Sequence, residues 1–324
     1  MANRKRNLIL GSRGSRLALW QANYVKKLLE AEYGDIGVTI KVIKTTGDKI
    51  KTTPLSEIGG KALFLKEIEE QILENKVQIG VHSMKDVPVE LPRGLGISTI
   101  LKRDDPRDVF ISKKYSSLFH LPKKARIGTS SLRRQAQLKS FRPDFEIVPI
   151  RGNIETRLRK VGKVGKVGKL ATEGLSGIIL AAAGLTRLGM SSKITEYLPT
   201  TLMLPAVGQG AIGLEILEGN AELRHLLDPL NDVETAHCVH AERSFLKNLE
   251  GDCQAPIAGF AEVNGQNLKI TGMVASPEGR ELIRDRLEGN IRDALPLGVQ
   301  LAKSLLGQGA REILRSTRER YSKI

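Results

Sequence analysis

Apolar positions along this chain switch repeatedly between two periods. Residues 7–10 (NLIL) make a short apolar run, followed by the polar, glycine-bearing GSRGS. Leu17, Gln21, Tyr24 and Leu28 then follow helical spacing, with Trp20, Val25 and Leu29 widening the face. The pattern predicts a strand, a turn and a helix from about Ser15 to Glu32, with Ser15 as its N-cap. VTIKVI (38–43) alternates as a strand, KALFLKEIEEQILEN (61–75) puts Leu65, Ile68 and Ile72 on one helical face, and VQIGV (77–81) is again a strand, with Pro88 shortly after it. Strand alternating with helix implies a doubly wound, largely parallel sheet.

The same alternation restarts near residue 106. ARIGTSSLRRQAQL reads as strand, tight turn and helix, FEIVPIRGN as a strand running into a turn, and SGIILAAAG as a buried strand. The glycine-rich LPAVGQGAIGLEIL (204–217) returns the chain towards the first unit. From about 233 the pattern changes to one long helix ending near Gly251, a hairpin at Asn264-Gly265, and helices over 293–306 and 310–320. The reading is therefore α/β with three domains: 1–103 with 205–228, 104–204, and a small α+β domain, with an antiparallel sheet and helices, over 233–324. The Lys-Val-Gly repeat at 160–169 reads as a solvated loop, because its glycines and like charges disfavour a helix.

With 324 residues, 40% of them hydrophobic, the chain can build more than one core. No apolar run approaches membrane-spanning length, and the basic start MANRKRNLIL is too briefly apolar for a signal peptide. Two cysteines fit a reducing cytoplasm better than a disulfide framework. The formal net charge is +15, and residues 123–169 alone hold fourteen Lys/Arg against three Asp/Glu. Such a stretch attracts polyanions: nucleic acid, phosphates or a substrate with many carboxylates. Only Phe141 and Phe145 are aromatic there, too few to stack single-stranded nucleic acid.

Several residues could carry chemistry. Lys85 and Asp86 in HSMKDVP follow a strand, where open α/β sheets bind ligands. GTSSLRR gathers Thr129, Ser130 and Ser131 at a helix N-terminus with Arg133 and Arg134 behind them, an anion site on physical grounds. Arg13 and Ser15 repeat the theme after the first strand, and Arg151, Arg157 and Arg187 add cations at strand ends or helix starts. Cys238 falls on the apolar face shared by Ala241, Phe245 and Leu249, so it reads as core. Cys253, in LEGDCQAPIAG, lies past a helix end, where a thiol is accessible or simply incidental. No CxxC or HxxxH pair suggests a metal site, and no GxxxxGK[ST] suggests a nucleotide-hydrolysing loop.

The segments SRLALWQANYV, GGKALFLKEIE, VHSMKDVPVELP, GTSSLRRQAQL, RGNIETRL, LAAAGLTRLG, LPAVGQGAIG and EGDCQAPIAG together resemble the porphobilinogen deaminase family over nearly the whole chain. The resemblance implies two similar α/β domains of periplasmic-binding-protein type and a third that carries a cysteine. It implies an enzyme of porphyrin and heme biosynthesis that joins four porphobilinogen molecules head to tail, releasing ammonia, into hydroxymethylbilane. It implies a dipyrromethane cofactor bound as a thioether to Cys253, with Asp86 the catalytic carboxylate and Lys61 and Lys85 lining the same cleft. Thr129, Ser130, Ser131, Arg133 and Arg134 would hold cofactor carboxylates, and Arg13, Ser15, Arg151, Arg157 and Arg187 those of the substrate. It further implies a cytoplasmic monomer with no metal, nucleic-acid or membrane partner. Glu57 departs from the family's pattern, which would place a basic residue there.

Two rival readings use fewer of these residues. A non-catalytic polyanion-binding module needs the arginines but not Asp86 and Cys253 together. A cysteine hydrolase needs a histidine partner for Cys253, and only His240 is near in sequence.

Overall fold

The computed structural model describes residues 6–49, 64–162, 165–167, 170–172, 174–249 and 255–321. The chain divides into two compact units, Met1–Asp104 with Gly210–Val239, and Asp105–Gln209 with His240–Ile324.

In the first unit, β1 (Arg6–Arg13), β2 (Ile36–Ile43), β3 (Ile79–Ser83), β4 (Leu95–Ile100) and β12 (Ile212–Leu217) form one sheet in the order β2-β1-β3-β12-β4. Strand β1 runs parallel to β2 and β3, whereas β12 is antiparallel to both β3 and β4. The sheet is therefore largely parallel, four of its strands running the same way, with one strand of opposite sense inserted by the returning segment. Alternate strand residues face opposite sides. Leu8, Leu10, Val81 and Leu214 pack with Val25 and Leu29 of α1 (Arg16–Glu32). On the other side Ile43, Val77 and Leu95 pack with Ile68 and Ile72 of α3 (Lys66–Leu73). Helices α2 (Thr46–Lys49) and α7 (Ala221–Leu227) complete the unit. Strand β1 continues to Arg13, paired there with Ile43, where the sequence suggests a turn.

The second unit holds β5 (Asp108–Ile111), β6 (Arg126–Gly128), β7 (Glu146–Val148), β10 (Gly177–Ala181) and β11 (Glu196–Tyr197), ordered β11-β5-β10-β6-β7. Strand β6 is parallel to β7 and β10, while β5 runs antiparallel to β10 and β11. Helices α4 (Leu132–Phe141), α5 (Ile154–Leu158) and α6 (Ala182–Arg187) follow β6, β7 and β10 respectively. Part of the Lys-Val-Gly repeat is not a plain loop: β8 (Gly165–Val167) pairs antiparallel with β9 (Leu170–Thr172).

Helix α8 (Val233–Asn248) begins in the first unit and ends in the second, where β13 (Ile257–Asn264), β14 (Asn267–Ala275) and β15 (Leu282–Asn290) form an antiparallel sheet with α9 (Ala294–Leu305) and α10 (Arg311–Tyr321). The Asn264-Gly265 hairpin is present, with Gly265 at φ +61°, a conformation in which a side chain would be strained. Cys238 is buried on α8, as its apolar register predicts. The Gly251 helix stop, Glu57, Lys61 and Cys253 lie outside the described residues. No helix among those described is long and apolar enough to cross a membrane.

Candidate functional site

Both units place their candidate residues at the carboxyl ends of parallel strands, where side chains and helix N-termini converge. In the first unit Arg13 ends β1, and its Nε and Nη2 donate to Asp48 Oδ2 (3.3 Å) and Oδ1 (2.5 Å). Thr45 Oγ1 also donates to Asp48 Oδ2 at 2.8 Å. Partial burial alone would raise the Asp48 carboxyl, but its bonds to Arg13 hold it below the usual range. The Arg13 guanidinium also lies 4.1 Å from the Phe64 ring centre, which orients it further. Ser15 caps α1, its hydroxyl accepting from the Ala18 N–H at 3.2 Å.

Lys85 and Asp86 occupy a single 3-10 turn, Met84–Asp86, directly after β3, the neighbour of β1. Both are half-buried. The turn is tied down from several sides. Met84 N donates to Ala211 O (3.0 Å), Val87 N to Met84 O (3.2 Å), and Gln21 Nε2 of α1 to Ser83 Oγ (2.8 Å). A half-buried carboxylate on a turn tied down in this way is suited to proton transfer and to stabilising a developing cation.

In the second unit the loop after β6 carries Thr129, Ser130 and Ser131. The Thr129 hydroxyl accepts from Ser131 N (3.2 Å), the exposed Ser130 donates to Ile150 O (2.7 Å), and Ser131 caps α4 by accepting from Arg134 N (3.4 Å). Strand β7, beside β6, leads to Arg151, so the Ser130 bond brings the two loops together. Arg157 Nε reaches back to Gly152 O at 2.8 Å. Arg187 ends α6 and is buried.

Arg133 and Arg134 have partners that the sequence reading did not anticipate. Both are buried around Asp108, the first residue of β5, which pairs antiparallel with Ala181 at the carboxyl end of β10. Arg134 Nε and Nη2 donate to Asp108 Oδ1 at 3.1 and 2.7 Å, and its Nη1 to Ile179 O at 3.0 Å. Arg133 Nη1 donates to Leu204 O (2.6 Å) and lies 2.7 Å from Asp108 Oδ2, an ion pair rather than an aligned hydrogen bond. Gln209 Nε2 adds a third donor to Asp108 Oδ1 at 3.0 Å. The resemblance assigns these guanidiniums to ligand carboxylates, whereas this structure pairs them with a carboxylate of the chain itself. Asp48, Asp108 and Gln209 were missed in the sequence. The only local signal was an aspartate heading the apolar run DVFI.

The Arg151 guanidinium retains unmet capacity. Arg151 Nη2 is buried and has no hydrogen-bond partner among the described residues. A buried N–H left unpaired costs about 1–3 kcal/mol, so the position favours an incoming acceptor. Arg151 thus makes the carboxyl edge of the second unit suited to an anion, with the Ser130 hydroxyl beside it engaged on Ile150 O. No group of three or more His, Cys, Asp or Glu among the described residues could hold a metal ion.

Comparison with known proteins identifies the family. Residues 8–225 match the family model "Porphobilinogen deaminase, dipyromethane cofactor binding domain", and residues 236–307 match "Porphobilinogen deaminase, C-terminal domain". The porphobilinogen deaminase of Geobacter sp. (strain M21) is 50% identical over 315 residues, 97% of this chain and 96% of its own. That of Geobacter sulfurreducens is 50% identical over 313 residues (97% and 95%), and that of Lawsonia intracellularis 48% over 312 (96% and 98%). Among solved structures, the Methionine Binding Protein MetQ overlays 71% of this chain and 92% of its own at 10% identity and a TM-score of 0.43. With both family models matched in order and half the positions shared with full-length relatives, the chain belongs to the porphobilinogen deaminase family.

Proposed function

We propose that this chain is a transferase of tetrapyrrole biosynthesis that couples four porphobilinogen molecules head to tail into hydroxymethylbilane, primed by a dipyrromethane cofactor. The observation that carries the reading is near-complete coverage by porphobilinogen deaminases at about half identity, with every candidate side chain of the reaction present in this sequence. In each round the aminomethyl C–N bond of porphobilinogen breaks with loss of ammonia. A C–C bond forms to the free α-carbon of the preceding ring, and that carbon's proton leaves. The cofactor, when bound, supplies the first free α-carbon.

The chain's residues do the rest. Asp86, half-buried on the turn after β3, moves the proton to the departing amine and offsets positive charge on the pyrrole nitrogens, with Lys85 beside it. Lys61 belongs with them in this reading. Each pyrrole brings two carboxylates, so repeated coupling needs many cations. Arg151, with its unpaired Nη2, fits such a carboxylate directly, and Ser130 joins it by turning its hydroxyl from Ile150 O to the ligand. Arg13, Ser15, Arg157 and Arg187 complete the substrate set, while Thr129, Ser131, Arg133 and Arg134 shape the cofactor-binding loop. Bidentate carboxylate pairing is the reason for arginine over lysine at most of these positions. Cys253 is the attachment thiol, forming a thioether, and buried Cys238 packs in the core. The reading includes a cytoplasmic monomer with domain limits of 1–103 plus 205–228, 104–204 and 233–324.

The test is the intact mass of the purified protein with and without Cys253→Ser. The expected result is an excess of two linked pyrrole units on the wild type, absent from the variant. A bare wild type that gains no mass on incubation with porphobilinogen overturns the reading.

A further inference from the structure

The first unit buries a second polar centre that the proposed reaction does not use. On the α3 side of the sheet, His82 Nε2 of β3 donates to Glu215 Oε2 of β12 at 2.9 Å, and both residues are buried. The two are not directly opposite each other: His82 pairs with Gly213, and Glu215 with Gly80. The imidazole therefore lies back along its own strand, across the space above Gly80. A Cβ on Gly80 would sit 2.6 Å from His82 Nε2, so the glycine is what lets this ring reach Glu215. The second oxygen, Glu215 Oε1, is buried with no hydrogen-bond partner among the described residues. Glu69 of α3 is buried as well and responds to the charges of Glu215, His82 and Glu70. Other charged side chains of α3 and β2 have partners elsewhere: Lys66 lies near Glu70 (3.9 Å), Glu67 accepts from Thr46 N (2.7 Å), and Lys41 donates to Gln71 (2.8 Å).

Polar groups buried in an otherwise apolar layer fix strand register, because any slip strands a donor or acceptor away from water. Here the register in question is that of β3 against β12, and β3 runs without interruption into the Lys85–Asp86 turn. The opposite face of β3 is held by Gln21 on Ser83, and the turn by Met84 packed over Gly213, where a Cβ would meet the Met84 thioether sulfur. His82–Glu215 supplies the remaining constraint, from the α3 side.

We propose that His82 and Glu215 are positioning residues for the Lys85–Asp86 turn, their hydrogen bond across Gly80 setting where that turn leaves the sheet. The proposal rests on the reading of Asp86 as the reacting carboxylate. The ring need not change charge to act. What is required is an Nε2–H donor at that point, and a glutamine amide can place one there.

The test is steady-state turnover of porphobilinogen by the cofactor-loaded protein, normalised to loaded fraction by intact mass, for His82→Gln, His82→Leu and Gly80→Ala. His82→Leu and Gly80→Ala are expected to lower kcat about ten- to a hundredfold, the scale of a misplaced catalytic group, with KM changed by less than about threefold. His82→Gln is expected to stay within about threefold of wild type. In the resting protein, the His82 imidazole nitrogen resonances should show a donating Nε2–H that Glu215→Gln and Gly80→Ala both perturb. Equal losses in His82→Gln and His82→Leu would overturn the proposal, as would full activity in Gly80→Ala or unperturbed His82 resonances. If a variant fails to fold, the resonances of the remaining ones decide. Asp86→Asn separates the two readings: retained turnover there sinks the catalytic assignment, while the His82 resonances still report on the hydrogen bond.

Discussion

Asp108 in the second unit and Glu215 in the first are both carboxylates at 0% exposure on a strand of their sheet, yet their surroundings are opposite. Asp108 sits between two guanidiniums and a glutamine amide. Burial by itself would raise its carboxyl, but Arg133 and Arg134 reverse this and hold it far below the usual range. Glu215 has one imidazole donor and a second buried acid nearby. There burial and the Glu215 charge push Glu69 up to about 7, with His82 opposing only in part. Burial thus leaves Asp108 an anion, while in the first unit it turns Glu69, the neighbour of Glu215, into a proton-holding acid. What decides is the number of cations that share the site. The excess of guanidinium over carboxylate also leaves the second unit's strand edge positive, which suits a ligand rich in carboxylates.

The largest expected effect comes from removing the anion of the cationic centre. Asp108→Asn leaves Arg133 and Arg134 buried against each other without a counter-charge, and breaking a buried pair in this way costs about 3–5 kcal/mol. Denaturant unfolding of the affected unit should show it. The variant should also lose acid sensitivity. A carboxyl held low in the folded state contributes stability above the ordinary carboxylate range and loses it as pH falls towards its folded value. A cost under about 1 kcal/mol would mean that the arginines find water or other partners, and the contrast between the two centres would collapse.

Glu69→Gln probes the opposite sign. A carboxyl raised in the folded state favours folding below its ordinary range. That contribution is lost as pH rises towards about 7 and is gone above it. The variant should match wild type within about 0.5 kcal/mol at pH 4 and exceed it by about 1–3 kcal/mol at pH 8, as a shift of this direction requires. Thermal unfolding at the two pH values measures the difference. A gap equal at both would show that Glu69 ionises freely.

Neither centre was visible in the sequence, and the reason is physical. Helix α1 with its Ser15 cap, the Asn264-Gly265 hairpin and buried Cys238 were legible because each depends on neighbours within a few turns of chain. The Lys85–Asp86 turn was legible because it follows an apolar strand. The Asp108 centre depends on Ala181 pairing with Asp108 across 73 positions, and the His82 centre on Gly213 pairing with His82 across a strand of reversed sense. No local pattern encodes either register. The resemblance located the arginines, but it could not show that two of them already hold a carboxylate of the chain.

The smallest effects sharpen the comparison most closely, because the two units use the same device at equivalent places. Ser15 caps α1 after β1, and Ser131 caps α4 after β6. An N-cap serine replaced by alanine typically costs about 1 kcal/mol. Helix α4 has a second anchor in its first turn, since Arg133 and Arg134 are fixed on Asp108. Ser131→Ala should therefore cost less, about 0.5 kcal/mol, against about 1 kcal/mol for Ser15→Ala. In an Asp108→Asn background the Ser131→Ala cost should rise towards that of Ser15→Ala, a coupling that a double-mutant cycle reads directly. Ser15→Ala should be indifferent to the same background. If Ser131→Ala costs the same with and without Asp108, the buried ion pair does not hold the helix start, and the cap alone forms the loop that carries Thr129 and Ser130.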